Sequence, residues 1–327
     1  MTADWREQNP HVEPAEVLLE KIRIERQRQY LEECENAKKK AHKKPKAYKQ
    51  NIEPIETSDL PDLPNTWKWE RFVNIANILG GVTKGRKFKD RETIKLPYLR
   101  VANVQDGYLN LDEIKEIEVL PEDQEKYHLE NGDILVTEGG DRDKLGRGTI
   151  WRCEIDNCIH QNHVYRARLY YSSVPNEYID IALKSESSRS FFFKNASQSV
   201  NLASINMTML GSVPLPIPPE KEQQEIVKRV ETLFQKADQI EQRYYKAKAY
   251  VDKLTQSILA KAFRGELVPQ DPNDEPASVL LERIRTERAK QEAEAKPAKK
   301  SKKGSKGGRK KKPAEPKQLD IPGINVS

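Results

Sequence analysis

Between residues 226 and 258, apolar side chains recur as Ile226, Val230, Leu233, Ala237, Ile240, Tyr244, Ala247, Val251, Leu254 and Ile258. The steps alternate four and three without a break, so one stripe of a helix faces a single neighbour over four heptads. At ~1.5 Å per residue the stripe spans roughly 50 Å. Pro218 and Pro219 punctuate its start, and Gly265 with Pro269 marks its end. Water does not tolerate so long a ridge, which needs either a partner helix or the core of its own domain. Ala237 and Ala247 suit a close approach of two helices, and Tyr244 a wider one.

A second feature brackets the chain. Residues 9–28 (NPHVEPAEVLLEKIRIERQR) and 271–290 (DPNDEPASVLLERIRTERAK) agree at twelve of twenty positions without a gap. Pro14 and Pro276 fit a first helical turn, where a missing N–H costs nothing. Ala15, Leu18, Leu19 and Ile22 form an i, i+3, i+4, i+7 stripe, repeated by Ala277, Leu280, Leu281 and Ile284. With the copies offset by 262 residues, this is a duplicated domain edge and not a stacked array.

Each copy is followed by a lysine tract. Residues 38–49 hold seven basic side chains and residues 296–312 hold ten, with no acid in either. The net charge is only +6, so the remainder of the chain is acidic. Such tracts repel themselves and behave as tethers or loose polyanion contacts, and they explain the basic balance without specific recognition. No window approaches the ~18 apolar residues of a membrane span. The first ten residues lack the apolar run of a secretion signal. Three cysteines, Cys34, Cys153 and Cys158, make no disulfide framework and suit a reducing compartment, so a cytoplasmic location is expected.

Residues 61–218 differ in texture. Short apolar runs at 98–104, 133–137, 148–155 and 164–171 predict strands, and residues 176–195 predict a helix ending in Phe191–Phe193. Two glycine-rich loops concentrate positive charge. Residues 80–91 (GGVTKGRKFKDR) carry Lys84, Arg86, Lys87, Lys89 and Arg91, and residues 139–148 (GGDRDKLGRG) carry Arg142, Lys144 and Arg147. Glycines let backbone approach a phosphate, and arginine can bridge guanine O6 and N7. A third stretch, residues 160–168 (HQNHVYRAR), offers Gln161 and Asn162, whose amides match adenine N6 and N7. Taken singly, each loop is also what a solvated surface would show.

Catalytic patterns are weak. Residues 80–87 fail as a nucleotide-phosphate loop, because Lys87 is preceded by Arg86 and followed by Phe88. No G-x-G-x-x-G run and no NPPY-type methyltransferase motif is present. Pro61, Asp62, Glu113 and Lys115 make a nominal nuclease pattern that is short enough to arise by chance. Cys153, Cys158, His160 and His163 lie within eleven residues, too crowded for a usual zinc site, and are expected to be buried or loop residues. Neither a catalytic nor a metal site is predicted.

The pieces together resemble the specificity subunit of type I restriction–modification systems. LPNTW (residues 63–67) is similar to that family's LPxGW domain entry, with Thr66 in place of the usual glycine. VPLPIPPEKEQQEIVKRVETLF (residues 213–234) resembles its exit run into a long helix, and AFRGEL (residues 262–267) with the EPAxxLLExIRxER repeat completes the likeness.

The resemblance implies an α+β chain, a mixed α/β target recognition domain followed by a long coiled-coil spacer. Expected segments are a helical remnant at 1–35, a lysine-rich linker at 36–60, the recognition domain at 61–218, the spacer at 219–290 and a flexible lysine-rich tail at 291–327. It implies a non-catalytic subunit that reads double-stranded DNA and works with methyltransferase and restriction–translocase subunits, on which S-adenosylmethionine, ATP and Mg²⁺ are expected. Family members usually carry two recognition domains, so this chain looks half-length: either an inactive fragment, or one that self-associates along its ridge to read an inverted bipartite site. The alternative from another class is a coiled-coil tether without DNA specificity.

Overall fold

The computed structural model describes residues 1–39, 44–48, 51, 53–140, 145–198, 203–269 and 271–295. It divides into two compact units, Met1–Gln242 and Arg243–Ser327.

In the first unit, helices α1 (Ala3–Gln8) and α2 (Ala15–Lys39) precede strand β1 (Lys68–Arg71), helix α3 (Phe72–Ile75) and strand β2 (Ala76–Gly80). Strands β3 (Ile94–Leu99) and β4 (Lys115–Val119), helix α4 (Pro121–Tyr127) and strands β5 (Ile134–Thr137), β6 (Gly139–Gly140) and β7 (Gly148–Ile150) follow. Next come β8 (Ile159–His160), β9 (Val164–Leu169), α5 (Asn176–Leu183) and α6 (Glu186–Asn195). The short strands β10 (Ser197–Gln198) and β11 (Ala203–Ser204), helix α7 (Met207–Ser212) and strand β12 (Pro214–Ile217) lead into α8 (Glu220–Phe263). Helix α8 crosses into the second unit, where α9 (Ala277–Ala295) follows.

A four-stranded antiparallel sheet, ordered β2-β9-β5-β7, is the centre of the body. Strand alternation sends Ile134, Val136, Tyr165 and Ala167 to one face. There they pack with Phe72, Ile75, Ile179, Phe192 and Leu210 from the helices. The other face sends Leu135 and Val164 against Leu99, Leu129, Trp151 and Cys158. A smaller sheet, β4-β3-β8, closes over Val82, Leu96, Tyr98, Val119 and Ile159. Strands β1 and β12 pair antiparallel, so the body's entry and exit lie side by side.

The mixed α/β body followed by a long helix matches the expected architecture, and local details differ. The strand expected at 98–104 sits earlier, at Ile94–Leu99, because Asn103 folds the chain back: its side chain binds the Asn110 and Glu113 carbonyls. The strand expected at 148–155 stops at Ile150, before Cys153 turns left-handed at φ 62°. The helix expected at 176–195 is two helices, since Ser185 leaves the helical path and its hydroxyl caps the second by accepting from the Ser188 N–H.

The duplicated segments are both helical, with opposite fates. In the first copy Ala15, Leu18, Ile22 and Arg26 are buried against the body's main core. All four recur in the second copy, as Ala277, Leu280, Ile284 and Arg288, where Leu280, Leu281 and Ile284 are exposed. The heptad ridge divides similarly: Ile226 is buried and Val230 packs beside it on the body's core, whereas Leu233, Ile240, Tyr244, Val251, Leu254 and Ile258 are exposed. Of the two coverings expected from the sequence, the domain core is the one seen, and only for part of this helix. Its first turns satisfy the domain core, and the rest of the ridge stays free.

Candidate nucleic-acid interface

The antiparallel register gathers three loops at one end of the central sheet. Gly80 pairs with Tyr165, Thr137 with Val164, and Val136 with Gly148, so the loops leaving β2 and β5 and entering β9 and β7 share an edge. Backbone bonds stitch them together. The Val82 N–H donates to the His160 carbonyl at 2.8 Å, and the Asn162 N–H to the Val82 carbonyl at 3.0 Å. The Glu138 N–H donates to the His163 carbonyl at 2.9 Å, and the Thr137 N–H to the Arg147 carbonyl at 3.0 Å. Approach at this seam demands glycine: a Cβ on Gly81 would lie 1.8 Å from the His160 carbonyl oxygen.

The expected contact residues divide by what already holds them. Lys84, Lys87 and Lys89 are exposed and enter no ion pair with another described residue. Lys89 is held left-handed at φ 51°. Arg86 is engaged: its Nη1 donates to Asp123 Oδ2 at 2.7 Å, and its guanidinium lies 5.3 Å from the Phe88 ring centroid. Asp123 also accepts from the Leu120 N–H at 3.0 Å, capping α4, so Arg86 fastens the loop to that helix. Arg147 donates to the Val101 carbonyl at 3.2 Å and to Gln105 Oε1 at 3.4 Å. These two arginines brace the loops from within, a role their sequence context does not announce. Gln161 and Asn162 are half-buried at the seam, and the Asn162 amide lies 3.3 Å from His163 Nε2. Arg142 and Lys144 lie outside the described residues.

Two features of this edge went unread in the sequence. His163 Nδ1 meets the Glu138 carboxylate. The β10–β11 pair joins β6 and ties in through the Ile205 N–H to the Glu138 carbonyl at 2.7 Å. The polar run around residues 197–204 was its only signal, too short for a periodicity.

The cysteine–histidine cluster does not converge. Cys153 is exposed, while Cys158 is buried and its thiol is pushed up to about 12 by loss of solvent. His160 is fully buried, and its Nδ1 meets the Val164 carbonyl at 2.7 Å. A ring nitrogen facing a carbonyl must carry a proton, which fixes the tautomer. Glu113, of the nominal nuclease pattern, is held by Lys115 and Arg100, each at 3.2 Å; hydrogen bonding to Lys115, then to Arg100, lowers its pKa below the ordinary carboxylate value. Among the described residues no group of three or more His, Cys, Asp or Glu side chains could hold a metal, and no helix is long and apolar enough to cross a membrane.

Comparison with known proteins identifies the family. Residues 64–248 match the family described as type I restriction modification DNA specificity domain. The chain is 34% identical over 244 residues to the type I restriction enzyme EcoKI specificity subunit of Escherichia coli, covering 68% of this chain and 52% of that protein. It is 34% identical over 224 residues to the StySPI specificity subunit of Salmonella potsdam, covering 66% and 48%. Thus the chain spans about half the length of these curated relatives. Among solved structures, the HsdS subunit from Thermoanaerobacter tengcongensis aligns at a TM-score of 0.41 and 20% identity, over 77% of this chain and 57% of that one. The family match runs from the LPNTW entry through the strand-rich body into α8, over more than half of the chain. The chain belongs to the type I restriction–modification DNA specificity family.

Proposed function

We propose that this chain is a non-catalytic DNA-reading subunit, directing adenine methylation or cleavage carried out by partner subunits. The observation that carries this reading is the shared sheet end, where Lys84, Lys87 and Lys89 are exposed and unpaired among the described residues, on the same loop edge as Gln161 and Asn162, in a member of a DNA specificity family. Phosphates would be held by the lysines, and base edges read by the amides of the seam. S-adenosylmethionine, ATP and Mg²⁺ would belong to methyltransferase and translocase partners.

Fluorescence anisotropy on duplex DNA tests the assignment. Replacing Lys84, Lys87 and Lys89 together with alanine should weaken binding about tenfold or more and flatten its salt dependence by up to about three phosphate contacts. Unchanged affinity and slope would remove the lysine edge from the interface. Sequence reading is tested by mapping methylated adenines in host DNA with and without the gene. A gapped, inverted motif that depends on the gene supports the reading, and an unchanged methylation pattern defeats it.

The exposed part of the α8 ridge is the basis for self-association in the same proposal. Two copies would bury Ile240, Tyr244, Val251, Leu254 and Ile258 isologously and hold two reading edges apart. Light scattering of the full chain should count two copies. Ile240→Asp with Val251→Asp should reduce the count to one at unchanged helix content, because both residues are solvent-exposed within one chain. A single copy in the unsubstituted protein would end the symmetric arrangement. The same exposed ridge suits a second reading, a coiled-coil tether, for which DNA binding would be indifferent to sequence.

A further inference from the structure

Strand β9 carries two arginines on one face, and they live differently. Arg168 is well partnered: its Nε and Nη2 donate to Asp133 Oδ1 and Oδ2 at 2.7 Å each, Nη1 meets Glu130, and Nη2 also meets the His128 carbonyl. Arg166, two residues before it and paired in register with Leu79 and Leu135, is 5% exposed. Its Nε is buried without a partner, and its guanidinium forms no hydrogen bond or ion pair with a described residue. Burial opposes the charge there. Asp133 and Glu130, the carboxylates that act on it through space, are themselves bound by Arg168. A mostly buried cation without an acceptor of its own is costly, and a bound anion is one way to satisfy it.

Arg166 lines a cavity of about 920 Å³ together with Asn77, Lys46, Lys126, Tyr48 and Tyr170. Carboxylates line it too, with partners of their own: Glu33 accepts from the Tyr48 hydroxyl at 2.5 Å, Glu32 pairs with Arg28, and Glu125 has a partner as well. A planar guanidinium with Lys46 and Lys126 lining the same cavity favours a multiply charged oxyanion over a single carboxylate.

We propose that this cavity is a phosphate-binding site anchored by Arg166, separate from the loop edge and independent of the DNA reading above. The phosphate group comes either from a small solute or from a nucleic-acid backbone. Thermal unfolding of the full chain in chloride buffer, with and without sodium pyrophosphate at matched ionic strength, tests it. The midpoint should rise saturably by about 4 °C or more. Arg166→Met should abolish that rise without lowering the midpoint in chloride, since it removes an unpaired buried charge. Equal responses of the two proteins, or no saturable response of the unsubstituted chain, would overturn the proposal; titration calorimetry of the unsubstituted chain with pyrophosphate decides the matter if Arg166→Met does not fold, absence of a saturable heat being the negative result. Anisotropy then separates the sources. A backbone phosphate requires pyrophosphate to compete with labelled duplex and Arg166→Met to weaken DNA binding, whereas a solute phosphate leaves DNA affinity unchanged. Loss of DNA binding by the lysine variants alone bears only on the loop edge.

Discussion

Replacing Glu222 with alanine should destabilise the fold by about 3–5 kcal/mol, the usual cost of removing one partner from a buried charged network. The Glu222 carboxylate is fully buried. Its Oε1 accepts from Thr2 Oγ1 at 2.7 Å and from Arg6 Nη1 at 2.6 Å, and its Oε2 accepts from Trp67 Nε1 at 2.8 Å. One side chain thereby joins the N-terminal segment, the entry to the strand-rich body and the first turn of α8. Alanine leaves the Thr2 hydroxyl and the Trp67 indole N–H without an acceptor, and leaves Arg6, whose guanidinium lies 5.9 Å from the Trp67 ring centroid, only the Thr2 hydroxyl oxygen at 3.2 Å. Glutamine keeps an acceptor and loses the charge, so Glu222→Gln should cost about 1–2 kcal/mol, less than alanine. Urea unfolding reads both. A midpoint in Glu222→Ala equal to that of the parent protein would show that the network contributes nothing.

Acid should destabilise the body through His160. Burial holds this imidazole neutral down to about pH 4, against an ordinary value of 6.5. The unfolded chain therefore binds a proton below pH 6.5 that the native state refuses until about pH 4. Stability is retained above the ordinary value, is lost as pH falls through this window, and suffers no further loss from this group below it. Across the window one proton corresponds to about 3 kcal/mol. His160→Asn keeps a donor for the Val164 carbonyl and removes the titration. The variant should be less stable at pH 8, because it leaves space in the core, and should have a flatter profile between pH 6.5 and 4. Parallel profiles for the two proteins would sink the assignment.

The ridge from Ile226 to Ile258 shows how far pattern reading reaches. Its period fixed a helix, realised as Glu220–Phe263, with a left-handed glycine, Gly265, just beyond the end. It could not say which turns face the domain, because a stripe records that a neighbour exists and not which one. Ile226 meets that neighbour in the body's core, while Ile240 and Val251 do not. Among the loop cations the same limit applies. Lys84, Arg86 and Lys87 look alike in a basic, glycine-rich run. Asp123, 37 positions onward, separates Arg86 from the lysines by giving it an internal partner. For Arg147 the deciding acceptor is the Val101 carbonyl, 46 positions earlier. Neither acceptor is visible within a local window.

By itself the sequence determined the local preferences: the 3.5-residue period, the duplicated helix, the short strands and the motifs at the body's entry and exit. These depend on side chains a few positions apart, whose spacing is written in the chain. Tertiary structure alone decided that one copy of the duplicated helix is a buried wedge and the other an exposed stripe, although all four side chains buried in the first recur in the second. Burial depends on what surface the fold brings opposite a helix, and side chains repeated in both helices cannot encode different neighbours.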